Sequence, residues 1–296
     1  LANPKKFHEW GVKARTAEEL RQQGLIYIEN GIRDENGRKF RFVINADDVV
    51  PIFKSPKELI MYRIGKPSVL CLHTKNPGEY TKKYIEWGEK YKHRDDDKEY
   101  NGFHEHPTCR SRSPWYALPS LEPSRILLPM HFDKRLFFAI SSKPVLCDAA
   151  LYMVYTKTMV SYEKLFLYMN STVFLITLEL YGMRMGEGDL QIKVNFYEDI
   201  PVPDLRKLSI EFDIKRFLSR APLPYYEEIK QQDRFELDRA VLRALGFNEK
   251  ELDRLVDELH KAFVEVVEDR LIKAGRPLRE EELKTVEVET DDEDNR

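Results

Sequence analysis

Only three cysteines occur in 296 residues, Cys71, Cys109 and Cys147, and none has a near neighbour. That excludes a disulfide framework and points to reduced thiols in a cytoplasmic protein. A membrane helix needs about 18 uninterrupted apolar residues. The richest stretch, "VFLITLELYG" at 173–182, is interrupted by Thr177 and Glu179, so no membrane partner is expected. An excess of one charge is also lacking: 48 Lys and Arg face 51 Asp and Glu, a formal net of −3. The chain opens on Leu1 rather than methionine, with nothing resembling a signal peptide nearby, and reads as a piece of something longer.

Catalytic signatures are missing too. Methyl transfer to adenine needs an Asn-Pro-Pro-aromatic motif to hold the flipped base. The nearest string, Asn76-Pro77-Gly78-Glu79, lacks the second proline and the aromatic. A glycine-rich cofactor loop should follow a strand and open a helix. Gly186-Glu187-Gly188 instead follows an expected helix and opens an expected strand. No catalytic residue and no cofactor-binding residue is therefore assigned to this chain.

What is present is uneven charge and clear local patterning. Residues 51–94 hold ten Lys and Arg against four Asp and Glu, whereas residues 201–296 hold 18 against 25. A basic middle beside an acidic end suggests an anion-facing surface and a helical appendage. "TAEELRQQG" (16–24) has the spacing of a short helix capped by Thr16. Residues 25–44 read as a hairpin around Asn36-Gly37, and 66–74 as another strand. Asn76 is expected to cap a helix over 76–94, in which Tyr80, Tyr84, Trp87 and Tyr91 form one aromatic stripe of core character. Lys82, Lys83, Lys90 and Lys92 occupy its other faces. Residues 95–114 show no period and read as a mobile loop.

Short strands are then expected at 125–130, 136–140, 144–148 and 151–156, followed by one buried helix from about Tyr162 to Tyr181. "GDLQIKVNFYEDIPVPDL" (188–205) alternates like a strand, and Pro201 and Pro203 stop it because neither can donate a ladder hydrogen bond. Beyond them, 234–246 reads as an amphipathic helix. Asn248 and Glu251 start a longer one, about 40 Å in length at 1.5 Å per residue. The boundaries expected are 1–204 for a mixed α+β domain of small sheets, 205–275 for a helical C-terminal element, and 276–296 for an acidic, disordered tail.

Two constellations resemble metal sites. "HEHPTC" places His104, His106 and Cys109 as weak zinc candidates, but no second cluster supplies a fourth ligand. Asp204 followed by Asp213-Ile214-Lys215 superficially matches a metal-dependent nuclease core, yet it straddles the proline-rich exit and reads better as linker. What remains is a binding surface. "CRSRSPWYAL" (109–118) interleaves Arg110 and Arg112 with serines and follows them with Trp115 and Tyr116. Arginines can take phosphates or read guanine, while the aromatics either contact bases or anchor the loop in the core. "MHFDKR" (130–135) offers His131, Lys134 and Arg135 as a second contact loop.

The order of motifs over 45–274 carries a resemblance. A lysine- and aromatic-rich helix precedes "WYAL" (115–118), then "RILLPMHF" (125–132), "YEKLFLYMNSTVF" (162–174), "YGMRMGEGDLQIKVNFYEDIPVP" (181–203) and "LDRAVLRALGF" (237–247). As a set these resemble the C-terminal target-recognition, or specificity, domain of Taq-type adenine-N6 DNA methyltransferases. Fused restriction–modification enzymes belong to that group, and the specificity subunits of type I systems are similar.

The resemblance implies an α+β domain that contacts double-stranded DNA through loops. It also implies a separate upstream catalytic domain that binds S-adenosylmethionine and methylates a flipped adenine. It places Arg110, Arg112, Trp115, Tyr116, Lys134 and Arg135 in the specificity core without saying which of them touch bases. With the helix lysines and His131, the expected DNA-contacting set is Lys82, Lys83, Arg110, Arg112, Trp115, Tyr116, His131, Lys134 and Arg135. The competing expectation is a protein-interaction module of a restriction–modification complex, docked through the acidic helical end. A metal-dependent nuclease stands behind both.

Overall fold

The computed structural model describes residues 7, 9–95, 98–119, 121–156 and 159–278. The fold is α+β, as the patterning implies. The chain divides into two compact units: residues 1–52 with 68–122, and residues 53–67 with 123–296. The division therefore does not fall at residue 204. The acidic tail expected over 276–296 lies from 279 onward outside the described residues.

The first unit opens on α1 (Ala17–Gln22), capped as expected by the Thr16 hydroxyl, which accepts from Glu19 N at 3.1 Å. The hairpin β1 (Leu25–Arg33) and β2 (Lys39–Asn45) follows. Its turn is set by Asp34, whose carboxylate accepts from the amides of Asn36 and Arg38, and by Gly37 at φ +74°. β3 (Val49–Phe53) pairs antiparallel with β4 (Val69–Leu72), Val49 lying opposite Leu72.

Next comes α2 (Glu79–Lys90), which starts later than expected. Its N-cap is Gly78, whose amide donates to the buried Asp48 carboxylate at 2.9 Å, while the Asn76 amide donates to the Thr74 hydroxyl. The aromatic stripe faces inward but is only half-buried, the buried positions of α2 being Thr81, Ile85 and Gly88. The Trp87 ring lies 5.0 Å from Phe40 and 4.9 Å from Phe42, and it also contacts Tyr84, Tyr91 and Phe103.

The stretch expected to be a mobile loop is instead built from short pieces: β5 (His93–Asp95), β6 (Lys98–Tyr100) and the one-turn helix α3 (Pro107–Arg110). The His93 ring stacks on Phe103 at 4.5 Å and Tyr100 at 5.2 Å, and His106 Nε2 meets Asp95 at 3.0 Å. Such stacking between short pieces has no period and leaves no local sequence signal.

The second unit is built around β7 (Ser124–Pro129). It also contains β8 (His131–Phe132), β9 (Ala139–Cys147) and β10 (Leu151–Val154), with β7 paired antiparallel to both β9 and β10. The two strands expected at 136–140 and 144–148 are thus one, β9. The single helix expected over 162–181 is two, α4 (Tyr162–Met169) and α5 (Thr172–Tyr181). Buried Asn170 breaks it: its side chain accepts from Phe138 N at 3.0 Å and donates to Phe138 O at 3.1 Å, while Ser171 caps α5.

The alternating segment is corrected as well. Only β11 (Met183–Arg184) and β12 (Leu190–Gln191) are strands there, forming a small sheet with β8, and Val194–Asp199 is the helix α6. Leu190 and Ile192 alternate into the core, but Val194 is 57% exposed, so the two-residue period ends there. Pro201 and Pro203 therefore follow a helix rather than a sheet.

The chain then adds α7 (Ile214–Leu218), α8 (Tyr225–Glu228), α9 (Gln232–Ala244) and α10 (Leu252–Lys273). The last has 22 residues and is about 33 Å long. These helices are no separate appendage. Phe217, Leu237, Val241, Phe263 and Val267 share one core with Ile126, Phe138, Phe166 and Leu178.

Charged groups are buried within that core. Asp238 accepts from Thr172 N and Oγ1, both at 2.6 Å, and meets His260 Nε2 at 2.7 Å. Arg270 pairs with Glu179 at 3.0 Å, both side chains inaccessible to solvent.

Candidate nucleic-acid interface

In the first unit, the 104–114 segment is held from beneath. Trp115 Nε1 donates to Glu89 Oε1 at 3.1 Å, and the indole packs so close to α2 that a Cβ on Gly88 would lie 3.2 Å from it. Trp115 and Tyr116 meet edge to face. The Tyr116 hydroxyl is pushed up in pKa by burial and by the nearby Asp48 and Glu89 carboxylates. These two aromatics have the contacts of anchors.

The arginines do not. Arg110 and Arg112 are exposed and have no carboxylate partner among the described residues. Arg112 lines an open groove of about 450 Å³ with His73, Thr74, Lys75, Ser111 and Ser113. Cations and hydroxyls together suit phosphate oxygens. Lys82 is exposed and has no ion-pair partner among the described residues, whereas Lys83 is engaged with Glu79 at 3.0 Å and lies over the Tyr80 ring at 4.9 Å.

In the second unit, His131, Lys134 and Arg135 line a larger groove of about 750 Å³. The structure adds Lys57, which lies in the basic 51–94 stretch but in no motif, and Ile60, both of which the fold brings to the same groove. One acid, Asp133, lies in the lining, and its carboxylate is paired with Arg276 at 3.1 Å.

Buried Arg270 fixes the 131–135 loop by donating to Asp133 O at 2.9 Å and to the Gly188 carbonyl. Tyr225 N donates to Lys134 O at 2.8 Å, and the His131 ring contacts the Gln191 amide at 3.1 Å. The loop is therefore presented in one geometry, which lowers the ordering cost of binding. The nine sequence-derived candidates thus fall into two sets, six on the first unit and three on the second.

The metal readings find little geometry. His106 is taken up by Asp95 and by the Thr108 hydroxyl at 2.8 Å, and the His104 ring faces Trp115. Among the described residues, no group of three His, Cys, Asp or Glu could hold a metal ion. Asp204 caps Arg206 N and takes its guanidinium through both oxygens, which holds the carboxyl below its ordinary pKa. Asp213 caps α7 through Lys215 N at 3.1 Å. Both carboxylates do the work of helix caps.

In the Gly186-Glu187-Gly188 turn, a Cβ on Gly188 would fall 2.9 Å from Arg276 and 3.2 Å from Ala274, whereas one on Gly186 would meet nothing within 4 Å. No helix among the described residues is long and apolar enough to cross a membrane.

Comparison with known proteins places this geometry in context. Residues 65–234, more than half of the chain, match the family model of the C-terminal domain of the type II methyltransferase M.Eco57I. No curated protein matches. Among solved structures, the type IIG restriction endonuclease BpuSI is similar with a TM-score of 0.52 and 11% identity. The match covers 93% of this chain and 34% of that one. At that identity the likeness concerns the fold, and the present chain spans about a third of the length of that structure.

Proposed function

The chain belongs to the family of the C-terminal domain of type II methyltransferase M.Eco57I, and we propose that it is the part that recognises a specific double-stranded DNA sequence. In this reading it serves an adenine-specific (N6) methyltransferase or restriction–modification enzyme in the cytoplasm. S-adenosylmethionine and the methyl-transfer chemistry belong to a catalytic domain or subunit that works with it.

The observation that carries the proposal is a set of cations on braced loops that have no carboxylate partner among the described residues. Exposed Arg110 and Arg112 occupy the first unit, and half-buried Lys134 and exposed Arg135 line the second unit's groove. Lysines and arginines neutralise phosphates and set the register of the protein on the duplex. A few of the same side chains then reach base edges, each good contact discriminating by about 1–3 kcal/mol.

The test is equilibrium binding of the whole chain to a random-sequence duplex of about 30 base pairs across a range of salt, followed by fluorescence anisotropy. The expected result is affinity that falls with salt at a log–log slope of several units. Absence of binding at low salt would remove the proposal.

A second reading, a protein-docking module, is favoured by one observation. Leu180, Tyr181, Met183, Met185 and Ile272 are all exposed apolar residues, and Arg184 is tied to α10 by its pairing with Asp269 at 2.7 Å. Loss of subunit association on Leu180→Asp, with duplex binding intact, would favour that reading for this face.

A further inference from the structure

Residues 53–67 lie in sequence between stretches of the first unit but belong to the second. They carry Lys54, Lys57, Arg63 and Lys66, all exposed, against a single acid, Glu58. None of the four cations has a carboxylate partner among the described residues. Glu58 is engaged within the segment: it accepts from Lys54 N at 2.7 Å and Ser55 N at 3.1 Å, closing a capping box around the turn at Pro56.

The residues between the cations are anchors. Leu59, Tyr62 and Ile64 are buried in the main core of the second unit. Tyr62 donates its hydroxyl to Glu228 at 2.8 Å and accepts from Arg234 at 2.9 Å. Ile140 N donates to Tyr62 O at 2.9 Å, and Ile64 N donates to Ile140 O at 2.8 Å. The segment is thus fastened on its inner side and cationic on its outer side. Lys57 reaches the same groove as His131, Lys134 and Arg135.

We propose that residues 53–67 form a preorganised phosphate-gripping arm, with Lys54, Lys57, Arg63 and Lys66 contacting the sugar–phosphate backbone beside the duplex bound at the 131–135 loop. This rests on the duplex-recognition reading above and adds a division of labour. The arm supplies sequence-independent affinity, and the loop supplies discrimination.

Counterion release gives the division a readout, because each phosphate contact contributes about 0.9 to the log–log salt slope whatever the sequence. The experiment compares the whole chain with K54A/K57A/R63A/K66A, a milder K57Q/R63Q pair, and K250A as a control on the helical end. Each binds a random duplex across a salt series, with folding checked by circular dichroism.

The expected result is a slope lower by about three to four units for the quadruple variant and about two for the pair, with K250A unchanged. A folded pair or quadruple variant with the parental slope overturns the arm while leaving duplex recognition standing. Absence of salt-dependent binding by the parent chain overturns the duplex reading, and the arm with it.

Discussion

The two units solve one problem, holding cationic loops rigid, with different chemistry. In the first, ring stacking does it: Phe40, Phe42, Tyr84, Trp87 and Tyr91 pack along α2, and His93 and Phe103 extend the stack beneath the 104–114 segment. Each pair contributes about 0.5–1.5 kcal/mol beyond its buried area, and the load is spread over many pairs centred on Trp87. In the second, buried charges do it. Arg234 is 1% exposed and joins Glu228, Tyr62 and the Asn170 carbonyl; Arg220 adds Glu228 and Asp233; and Arg270 ties Glu179 to the 131–135 loop. Distributed stacking tolerates small losses, whereas a buried charge network fails sharply when one member is removed.

That contrast is broken most directly at Glu228. Glu228→Gln keeps the shape and leaves two guanidiniums without their shared anion, one of them fully buried. A loss of about 3–5 kcal/mol is expected, read from the urea midpoint at constant m-value. A loss under about 1 kcal/mol would mean the network is not the brace.

The same residue sets an acid dependence. Burial alone would raise the Glu228 carboxyl, but Arg234 and Arg220 outweigh it and bring it from 4.5 down to about 2. A carboxyl with a depressed folded pKa contributes stability in full above its unfolded value and loses it as pH falls through the folded one. About 3 kcal/mol should therefore disappear between about pH 4.5 and pH 2 in the parent. This component should be absent from Glu228→Gln.

In the aromatic unit the expected effect is smaller. Gly88→Val places branched carbons against the Trp115 indole, whose nearest atom would be 3.2 Å from the new Cβ. A cost of about 1–3 kcal/mol is expected. The 104–114 loop should loosen before the rest of the unit, visible as faster amide exchange near Arg110 and Arg112. Unchanged exchange there would show that Trp115 is not its anchor.

Legibility from sequence follows the same divide. The Thr16 cap, the Asn36-Gly37 turn and the stripe on α2 depend on neighbours in the chain, and all three were readable. The break at Asn170 was not, because the partner of its side chain is Phe138, in another strand. The order within 93–95 and 98–110 leaves no signal in the sequence, because its contacts are ring stacks between short pieces with no repeat. The alternation after Gly188 suggested a strand, and only the exposure of Val194 shows where that pattern stops. His131, Lys134 and Arg135 were marked by local composition, whereas Lys57 joins them only through the tertiary path of residues 53–67.

The smallest expected effect on stability belongs to the exposed cations, and there the functional claim is decided. Arg112→Ala with Arg135→Ala should change unfolding free energy by less than about 0.5 kcal/mol. The measurement that tests the central claim most directly is selection from a randomised duplex library with the parent chain and with this double variant. Convergence of the parent on one discrete sequence, relaxed at particular positions in the variant, is the predicted result. A parent pool that binds in a salt-dependent way yet stays random after repeated rounds would contradict sequence recognition and leave a non-specific phosphate binder.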